Sequence, residues 1–472
     1  MNADLDRGSM PAAKGRRGWR SGPLDVRSFR LLSIGQMTST VGDYCYAIAL
    51  PWLILSSHGG TVMLGVVLAC YGVPRTVLIP VGGVLADRLS PRAVMLVADG
   101  VRCVLVAALA ILALRHIDSL VFLAPVAVLL GAGEGVFLPA SMAIMPSLLP
   151  PEQLQAGNGL SSAMIQIGSF AGPVLGGILV AAAGPAPAFA VDAASFAISA
   201  AALVMIRPAR GATSEAGAHA GQAEHGQSAQ AGQTGAMAPQ AAPPAAPPAP
   251  ETSIRRLFLR SRELQIIVAI SVVANFVIAA AFEVALPALA HAKFGPAGYG
   301  ALVACFGAGA VVGTLAAAKM TSLRRPAAAA GVIFLVAGIA VAVLPFAGGL
   351  PGAAAADVAF GVSASFGNVV IITVLQRWAP APLLGRVMSV VMLASFGTFP
   401  VSVALAGIIV HRIGPSPFFP VAGGILVLAI AAALAQPKFR AFGQQPARAP
   451  EQEQPSEQPP DQPSGQAAVV AR

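Results

Sequence analysis

The apolar run at residues 156–182 contains the stretch Gly168-Ser169-Phe170-Ala171-Gly172-Pro173-Val174-Leu175-Gly176-Gly177. A helix that crosses a bilayer needs about 20 mostly apolar residues, and this run meets that length. Gly168, Gly172 and Gly176 recur at four-residue intervals and so share one helix face, where a neighbouring helix can approach closely. Pro173 removes one backbone hydrogen bond and bends the helix. The run therefore predicts a bent, tightly packed transmembrane helix.

The composition of the whole chain extends this prediction. Of its 472 residues, 56% are hydrophobic, only 10% are charged, and the mean hydropathy is +0.75. An ordinary soluble domain has about 25% charged residues. The apolar runs are continuous in Ala, Val, Leu and Ile, without the period-two alternation of an outer-membrane barrel. We therefore predict an all-α integral membrane protein, in which each helix satisfies its own backbone hydrogen bonds.

Twelve runs are long and apolar enough to cross a bilayer. An Ala, Gly, Gln and Pro mixture, which cannot bury a core, separates the first six from the last six. The predicted organisation is a basic cytoplasmic tail, a six-helix bundle, a disordered cytoplasmic linker, a second six-helix bundle and a disordered cytoplasmic tail, at residues 1–29, 30–206, 207–262, 263–436 and 437–472. Spans one to twelve are predicted at residues 30–55, 62–86, 93–114, 119–144, 156–182, 186–206, 264–290, 298–319, 327–347, 351–376, 386–410 and 415–436.

The positions of the 29 lysines and arginines predict the orientation. Nearly all fall in the tails, the linker and the loops on the same side, and only Arg115, Lys293 and Arg412 fall in the opposite loops. Both termini are therefore predicted to be cytoplasmic, in the inner membrane of a bacterial cell. The net charge of +9 has the same explanation, because the positive side chains lie along one face of the membrane, where they contact anionic lipid headgroups. Nucleic acid is not an expected partner.

Signatures of enzymatic chemistry are not found in the sequence. It contains no nucleotide-binding P-loop, no metal-ligand cluster and no Gly-x-Ser-x-Gly motif. The four cysteines lie singly in predicted spans, which indicates reduced, buried thiols. We expect a protein without cofactor or metal that is not an enzyme, and whose energy source is an ion gradient rather than ATP.

The two halves of the chain share features at matching positions. The turn that begins at Gly83 has a basic counterpart that begins at Gly313, an offset of 230 residues. The loop with Pro151 has a counterpart with Pro380, an offset of 229 residues. These offsets predict a duplicated unit, which is the architecture that secondary transporters use to move one bundle against the other.

Two motifs resemble signatures of a known family. The turn Gly83-x-Leu85-Ala86-Asp87-Arg88-x-x-x-Arg92 resembles the loop signature of the major facilitator superfamily. The stretch Gly168-x-x-x-Gly172-Pro173-x-x-Gly176-Gly177 resembles the fifth-helix motif of its drug/proton antiporters. Shorter matches, among them Asp192-Ala193-Ala194-Ser195-Phe196, resemble the branch that holds macrolide exporters and the enterobactin exporter. The chain departs from the loop signature at Ser90 and Pro91, and its second copy has Ala317 in place of the aspartate.

The resemblance implies a fold and a gate. The fold has twelve transmembrane helices in two pseudo-symmetric six-helix bundles around a cavity that spans one, four, seven and ten line. Asp87 is implied to face the N-terminal end of span eleven, near Gly385, where the helix dipole favours a carboxylate. With Gly83, Arg88 and Arg92, Asp87 then forms a cytoplasmic latch between the bundles. The alternative is a plain turn whose charges only orient the helices.

Ionisable side chains inside a bilayer are costly and usually functional. Those near the predicted midplane are Asp43, Arg75, Arg102 and Glu134, and those nearer the span ends are Asp99, Asp192, Glu283 and Asp357. Because Asp99 and Arg102 are three residues apart on one helix, we expect them to pair. Asp43 and Glu134 then compete for Arg75, and an acid without a counter-ion can carry protons. The alternative for the other acids near the span ends is that they cap or cross-link helices.

The cavity that the resemblance implies is apolar and aromatic, and Asn275 and Asn368 lie on its helices. Such a cavity with a few acids suits an amphiphilic, often cationic cargo. We predict a monomeric, proton-coupled secondary transporter that exports a drug-like or siderophore-like small molecule by alternating access. Its partners are the cargo, protons and the lipid bilayer. The alternatives are an importer or lipid flippase on the same fold, or a polytopic membrane enzyme or sensor.

Overall fold

A computed structural model describes residues 22–57, 59–206, 258–259, 261–319, 324–379 and 383–444. Within these residues the regular elements are all helices, and no strand is formed. The all-α prediction is therefore confirmed for the described residues. Most of the predicted linker at 207–262, and most of the two predicted tails, lie outside them.

The first six helices form one bundle. Their bounds are α1 Arg27–Ser56, α2 Gly60–Arg88, α3 Pro91–Leu114, α4 Leu120–Leu148, α5 Leu154–Ala183 and α6 Pro185–Met205. Helix α1 packs against α5 and α6, α2 packs against α4, and α3 packs against both α4 and α6. Since the connections are short, consecutive helices run in opposite directions.

The remaining helices form the second bundle. Their bounds are α7 Arg262–Ala279, α8 Leu286–Lys293, α9 Gly295–Lys319, α10 Pro326–Val343, α11 Leu350–Trp378, α12 Leu384–Phe396, α13 Phe399–Ile413, α14 Pro415–Ala435 and α15 Pro437–Ala441. A π-helical turn, Ala280–Ala285, joins α7 to α8. Helix α9 packs against α11, α10 packs against α11 and α14, and α7 packs against α12 and α14.

Eleven helical segments among the described residues are long and apolar enough to cross a membrane. Helix α1 is not among them, although it corresponds to predicted span one. Polar residues such as Gln36, Thr38 and Asp43 lower its hydropathy. Its 30 residues still exceed the length that a bilayer requires. The two bundles of six predicted spans are therefore present.

Two predicted spans are irregular, and in each a proline explains the irregularity. Span seven is continuous from Arg262 to Lys293 but contains the π-helical turn, just before Pro287. Pro287 has no N–H to donate to the carbonyl of Glu283, four residues earlier. Span eleven is divided into α12 and α13, and Pro400 leaves the carbonyl of Phe396 free in the same way. That carbonyl accepts a hydrogen bond from Thr76 Oγ1 on α2, at 3.4 Å.

The two bundles pack together toward one end of the molecule. We call this the closed end, and it carries Ser57, Gly184 and Gly414. Helix α5 packs against α9 and α2 packs against α13, with Thr61 Oγ1 donating to the carbonyl of Gly407 at 2.9 Å. At the other end, where α2 ends and α12 begins, α12 packs against α7 of its own bundle. We call this the open end.

One predicted boundary is wrong. The C-terminal tail was predicted to be disordered from residue 437, but α15 is a short helix within it. Phe439 and Phe442 are buried, and the ring of Phe442 contacts Trp378 with 5.6 Å between centroids. These two aromatic side chains give the segment an apolar anchor. Residues 445–472 lie outside the described residues.

Candidate functional site

Arg102 on α3 is the centre of the charged cluster in the first bundle. Its Nη2 lies 2.7 Å from Oε2 of Glu134 and 3.1 Å from Oδ1 of Asp43, and its Nη1 lies 3.8 Å from Oδ1 of Asp99. The Arg102 side chain is only 5% exposed, and its guanidinium lies over the ring of Phe196, 4.2 Å from the centroid. One cation therefore joins carboxylates from three helices.

The predicted pairing of these charges is partly wrong. Asp99 does lie beside Arg102, and its Oδ2 also accepts a hydrogen bond from Ser199 Oγ at 2.6 Å. Asp43 and Glu134 do not compete for Arg75, because both bind Arg102 instead. Spacing along one helix correctly predicts a neighbour three residues away. It does not reveal which faces of α1, α3 and α4 meet.

Arg75 on α2 has a different environment. Its guanidinium lies between two rings, 5.8 Å from the centroid of Tyr71 and 5.4 Å from that of Phe396, which belongs to the second bundle. Its Nε is buried without a hydrogen-bond partner, and no carboxylate of the described residues forms an ion pair with it. Arg75 is therefore a cation held by aromatic faces.

A cavity of about 230 Å³ brings the charged groups of both bundles together. Asp43 and Glu134 face it with 44% and 20% of their side chains exposed. Glu283, on the π-helical turn, enters the same cavity from the second bundle, together with Phe399. The Asp, Glu and Arg residues that line it are Asp43, Arg75, Arg102, Glu134, Asp192 and Glu283. Carboxylates therefore outnumber guanidinium groups in this cavity.

A second, larger cavity of about 450 Å³ lies within the second bundle. Its lining is mainly aliphatic and aromatic and includes Phe306, Phe334 and Phe360. Asn275 and Asn368 supply polar groups, and Asn275 Nδ2 donates to the carbonyl of Ser271 at 2.8 Å. We call this the apolar cavity and the other the charged cavity.

The single chamber predicted from spans one, four, seven and ten is therefore divided. Asp43, Glu134 and Glu283 line the charged cavity, whereas Asn275 and Asn368 line the apolar cavity. Phe396 lines the apolar cavity and also covers Arg75, which lines the charged one. A residue of the charged cavity, Arg75, is thus in contact with a residue of the apolar cavity, Phe396. Side chains of spans two, three, six, eight, nine, eleven and twelve contribute as well, because helix rotation and not span number decides what faces a cavity.

Asp192 and Asp357 occupy less accessible places. Asp192 on α6 borders the charged cavity but is 1% exposed, and its Oδ1 accepts a hydrogen bond from Ser195 Oγ at 3.4 Å. Asp357 on α11 is fully buried and lines neither cavity. The capping or cross-linking contacts of the alternative interpretation are not found among the described residues, where neither carboxyl oxygen of Asp357 has a hydrogen-bond partner.

The glycine motif of α5 makes two kinds of contact. A Cβ on Gly168, Gly172 or Gly176 would meet Thr40, Tyr44 or the backbone of Cys45, so this face lies directly against α1. Gly177 instead faces α9, where a Cβ added to Gly177 would lie 3.2 Å from the Cα of Gly300. The carbonyl of Pro173 also lies against Gly300. The close approach predicted from glycine spacing is present, and the motif further joins the two bundles.

The residues of the predicted latch are apart from the second bundle in this conformation. Asp87 and Arg88 are exposed at the C-terminal end of α2, and no ion pair or hydrogen bond of Asp87 occurs within the described ranges. A Cβ on Gly83 would meet nothing within 4 Å. Arg92 has a contact within its own bundle, since its Nε donates to the carbonyl of Leu203 at 2.7 Å. The contact of Asp87 with span eleven that the resemblance implies is therefore not found between described residues in this conformation.

A contact at the closed end was missed by sequence reasoning. The ring of Trp52 on α1 lies 4.7 Å from that of His291 on α8, and Ser56 Oγ lies 3.4 Å from His291 Nε2. These residues belong to different bundles. His291 directly follows predicted span seven, which ends at residue 290, and nothing in its sequence neighbourhood indicates a partner more than 200 residues away.

Comparison with known proteins decides the family. The model of the Major Facilitator Superfamily matches residues 32–295, which is more than half of the chain. The chain belongs to this superfamily. The resemblance predicted from the two glycine-containing motifs is thereby confirmed, and the superfamily consists of transporters and not of enzymes. The chain is a multi-pass membrane protein.

Relatives within the superfamily include two kinds of exporter. The chain is 30% identical over 194 residues to the multidrug efflux pump Tap of Mycolicibacterium fortuitum, covering 40% of this chain and 46% of Tap. It is 30% identical over 171 residues to the enterobactin exporter EntS of Salmonella typhi, covering 35% of this chain and 40% of EntS. The matched part is therefore less than half the length of each relative.

Solved structures of the superfamily share the whole fold. A peptide transporter POT in complex with sulfate superposes with a TM-score of 0.63 at 15% identity, covering 91% of this chain and 97% of the transporter. The nucleoside transporter NupG superposes with a TM-score of 0.62 at 11% identity, covering 87% and 99%. At these identities the likeness shows the fold alone, and it confirms the two-bundle architecture.

Proposed function

We propose that this chain is a proton-coupled exporter of an amphiphilic, drug-like or siderophore-like small molecule. It works by alternating access in the inner membrane of a bacterial cell, with both termini in the cytoplasm. The two exporters among its relatives support the direction of transport. With this orientation, the open end faces the cytoplasm and the structure is the state that receives cargo.

The observation that carries the proposal is the position of Arg102. One guanidinium is shared by Asp43, Asp99 and Glu134, and two of these carboxylates also face the charged cavity. A proton on Glu134 neutralises one partner of Arg102 and leaves the others bound. Removal of that proton restores an acceptor for Arg102 or for a cationic group of the cargo. The cluster can therefore exchange a proton for a cation without leaving Arg102 unpaired.

The division between the cavities supports an amphiphilic cargo. The charged cavity has an excess of carboxylates, which attract a cationic group, and the apolar cavity offers about 450 Å³ to a hydrophobic body. Asn275 and Asn368 supply hydrogen-bonding groups in the apolar cavity. Arg75 of the charged cavity contacts Phe396 of the apolar cavity, so we expect a cargo that occupies both cavities to lie against this pair.

We expect Glu134→Gln to uncouple transport from the proton gradient. In vesicles with a pH gradient of one unit and the membrane potential clamped, each coupled proton supports about a tenfold accumulation, because one unit corresponds to about 1.4 kcal/mol. Purified wild-type protein in such vesicles is assayed with ethidium, a macrolide and a catecholate siderophore, and the compound that it accumulates best is the probe. The variant is expected to lose the gradient-driven accumulation but to keep exchange of internal for external probe.

Glu152→Gln is the matched control, because Glu152 is exposed on the short helix Pro151–Gln153 away from the cavities. It should accumulate the probe as the wild type does. Unchanged pH dependence in the Glu134 variant would contradict the role of Glu134 and point to Asp43. Probe movement only in the opposite direction in oriented vesicles would contradict export and support an importer.

Asp87→Asn tests the latch, which we propose forms when the open end closes. A charge at a helix N-terminus contributes up to about 2 kcal/mol in partly buried geometries, so we expect transport to fall about tenfold or more with normal amounts in the membrane. Asp25→Asn, another exposed aspartate on the open-end side, is the control. Near-normal transport by the Asp87 variant would leave the turn with a purely orienting role.

A further inference from the structure

Asp357 is a buried acid that the proposed function does not use. It lies on α11, seven residues after the helix begins at the closed end, and its exposed fraction is 0%. Neither Oδ1 nor Oδ2 has a hydrogen-bond partner, and no Lys, Arg or His of the described residues forms an ion pair with it. A buried carboxyl normally has at least one such partner. Asp357 therefore requires an explanation.

The helices around Asp357 supply no compensating charge. Helix α11 packs against α9, α10 and the short helix Leu344–Phe346. Tyr299 and Cys305, both on α9, are titratable groups near enough to interact electrostatically with Asp357, and neither is a cation. The other two elements contain no ionisable side chain. Elsewhere in this bundle, Glu283 lines the charged cavity and Lys293 donates to the carbonyl of Pro345 at 3.2 Å.

Three aromatic rings contact one another at the wall of the apolar cavity, and Phe360 is the one on the same helix as Asp357. The centroids of Phe282 and Phe360 are 4.5 Å apart, those of Phe306 and Phe360 are 5.4 Å apart, and those of Phe282 and Phe306 are 5.6 Å apart. Phe306 and Phe360 line the apolar cavity, and Phe360 lies about one helical turn beyond Asp357 in the direction of the open end. We call Phe282, Phe306 and Phe360 the aromatic layer.

We infer that Asp357 is a second proton-binding group, which holds a proton in this conformation independently of the Arg102 cluster. An ionised carboxylate without partners in an apolar interior costs many times more than the neutral acid, so such a group binds a proton instead. When the closed end opens, the side of Asp357 remote from the aromatic layer comes nearer to water. Its carboxylate then takes one proton from water at that end and becomes a neutral carboxylic acid.

Movement of the aromatic layer would allow this proton to be released toward the open end. A hydrophobic cargo group that enters the apolar cavity contacts Phe306 and Phe360 directly. If the rings move apart, water reaches Asp357 from the cavity, the O–H bond breaks, the electron pair stays on the carboxylate, and the proton goes to water at the open end. This release step rests on the proposed function, because the proposed function assigns the cargo to the apolar cavity. Proton binding by Asp357 in the present conformation does not depend on it.

The primary test is infrared spectroscopy of the full chain in lipid vesicles at neutral pH. The difference spectrum between the wild type and Asp357→Asn should contain the carbonyl stretch of a neutral carboxylic acid. Asparagine keeps the volume of the side chain, and Asp43→Asn is the comparison for an acid that faces a cavity. In wild-type protein transferred to heavy water, the Asp357 band should shift slowly, and Phe360→Ala should make that shift faster. This wild-type measurement remains available if the asparagine variant does not fold.

Carboxylate bands in place of the acid band would overturn the inference. So would a band whose exchange rate in heavy water Phe360→Ala leaves unchanged. A transport assay gives a second measurement. If Asp357→Asn removes one coupled proton from the cycle, accumulation of the probe at a gradient of one pH unit should fall about tenfold. The two proposals can be contradicted separately. Unchanged proton coupling in Glu134→Gln would contradict the proposed function but would not remove the infrared band of Asp357. A missing Asp357 band would contradict the present inference but would not change the effect of Glu134→Gln on transport.

Discussion

Replacing Arg102 by methionine is expected to abolish transport and to lower the free energy of unfolding by about 3–5 kcal/mol. Arg102 is the cation that Asp43, Asp99 and Glu134 share, and Asp99 is fully buried. Methionine fills part of the same volume but leaves these carboxylates facing one another without a counter-ion. Removal of one partner from a buried ion pair is costly because the remaining charge stays desolvated.

The measurement is denaturant or thermal unfolding of the purified protein in detergent, together with probe accumulation in vesicles. Arg75→Met is the matched control, because Arg75 contacts Tyr71 and Phe396 but forms no ion pair within the described part of the chain. Its loss should cost about 0.5–2 kcal/mol, the range of cation–π contacts. Adding Glu134→Gln to the Arg102 variant should restore part of the stability. Wild-type stability in Arg102→Met would show that the cluster does not hold the bundle together.

Replacing Gly300 by valine is expected to reduce transport about tenfold or more by preventing the closed end from closing. A Cβ on Gly300 would meet the carbonyl of Pro173 and the Cα of Gly177, so the addition separates α9 from α5. Overpacking of a close contact costs about 1–3 kcal/mol, and 1.4 kcal/mol is a factor of ten in an equilibrium. The contact joins the two bundles, so the cost falls on the closed state and not on the fold of either bundle.

Gly159→Val is the control for this experiment. Gly159 lies on α5 near the open end, and a Cβ there would meet nothing within 4 Å. The distance between the bundles can be followed with spin labels on Ala183→Cys and Ala292→Cys, both exposed positions at the closed end. We expect a longer distance in Gly300→Val and an unchanged one in Gly159→Val. A normal rate and distance in Gly300→Val would show that the α5–α9 contact tolerates separation.

Local composition predicted most of the fold. Span boundaries follow from the length of apolar runs, and helix α5 begins and ends within about two residues of its predicted run. Span one was also predicted correctly, although polar residues lower its hydropathy, because its length remains sufficient. The division of span eleven at Gly397 and Thr398 was not predicted. Pro400 was visible in the sequence, but a proline inside a transmembrane helix can be accommodated without a break, as Pro173 is in α5.

The site was predicted less completely than the fold. All six Asp, Glu and Arg residues of the charged cavity were among the candidates, because charge inside a bilayer is conspicuous in a sequence. Their partners were not, since Asp43 and Arg102 are 59 residues apart and meet only through the packing of α1 and α3 on α6. The role of Phe396 as a cover for Arg75 was missed for the same reason. Aromatic residues are common in apolar spans, and nothing in their spacing marks one that faces a cation.

What the sequence alone determined is the number and helicity of the spans, their division into two sets of six, and the superfamily. These properties depend on composition and short-range spacing, because the length of a continuous apolar segment decides whether it partitions into the bilayer as a helix. Only the tertiary structure decided that Arg102 binds three carboxylates, that the chamber is divided in two, and that Asp357 has no partner. Each of these depends on the rotation of a helix about its own axis, which is set by contacts with helices distant in the chain.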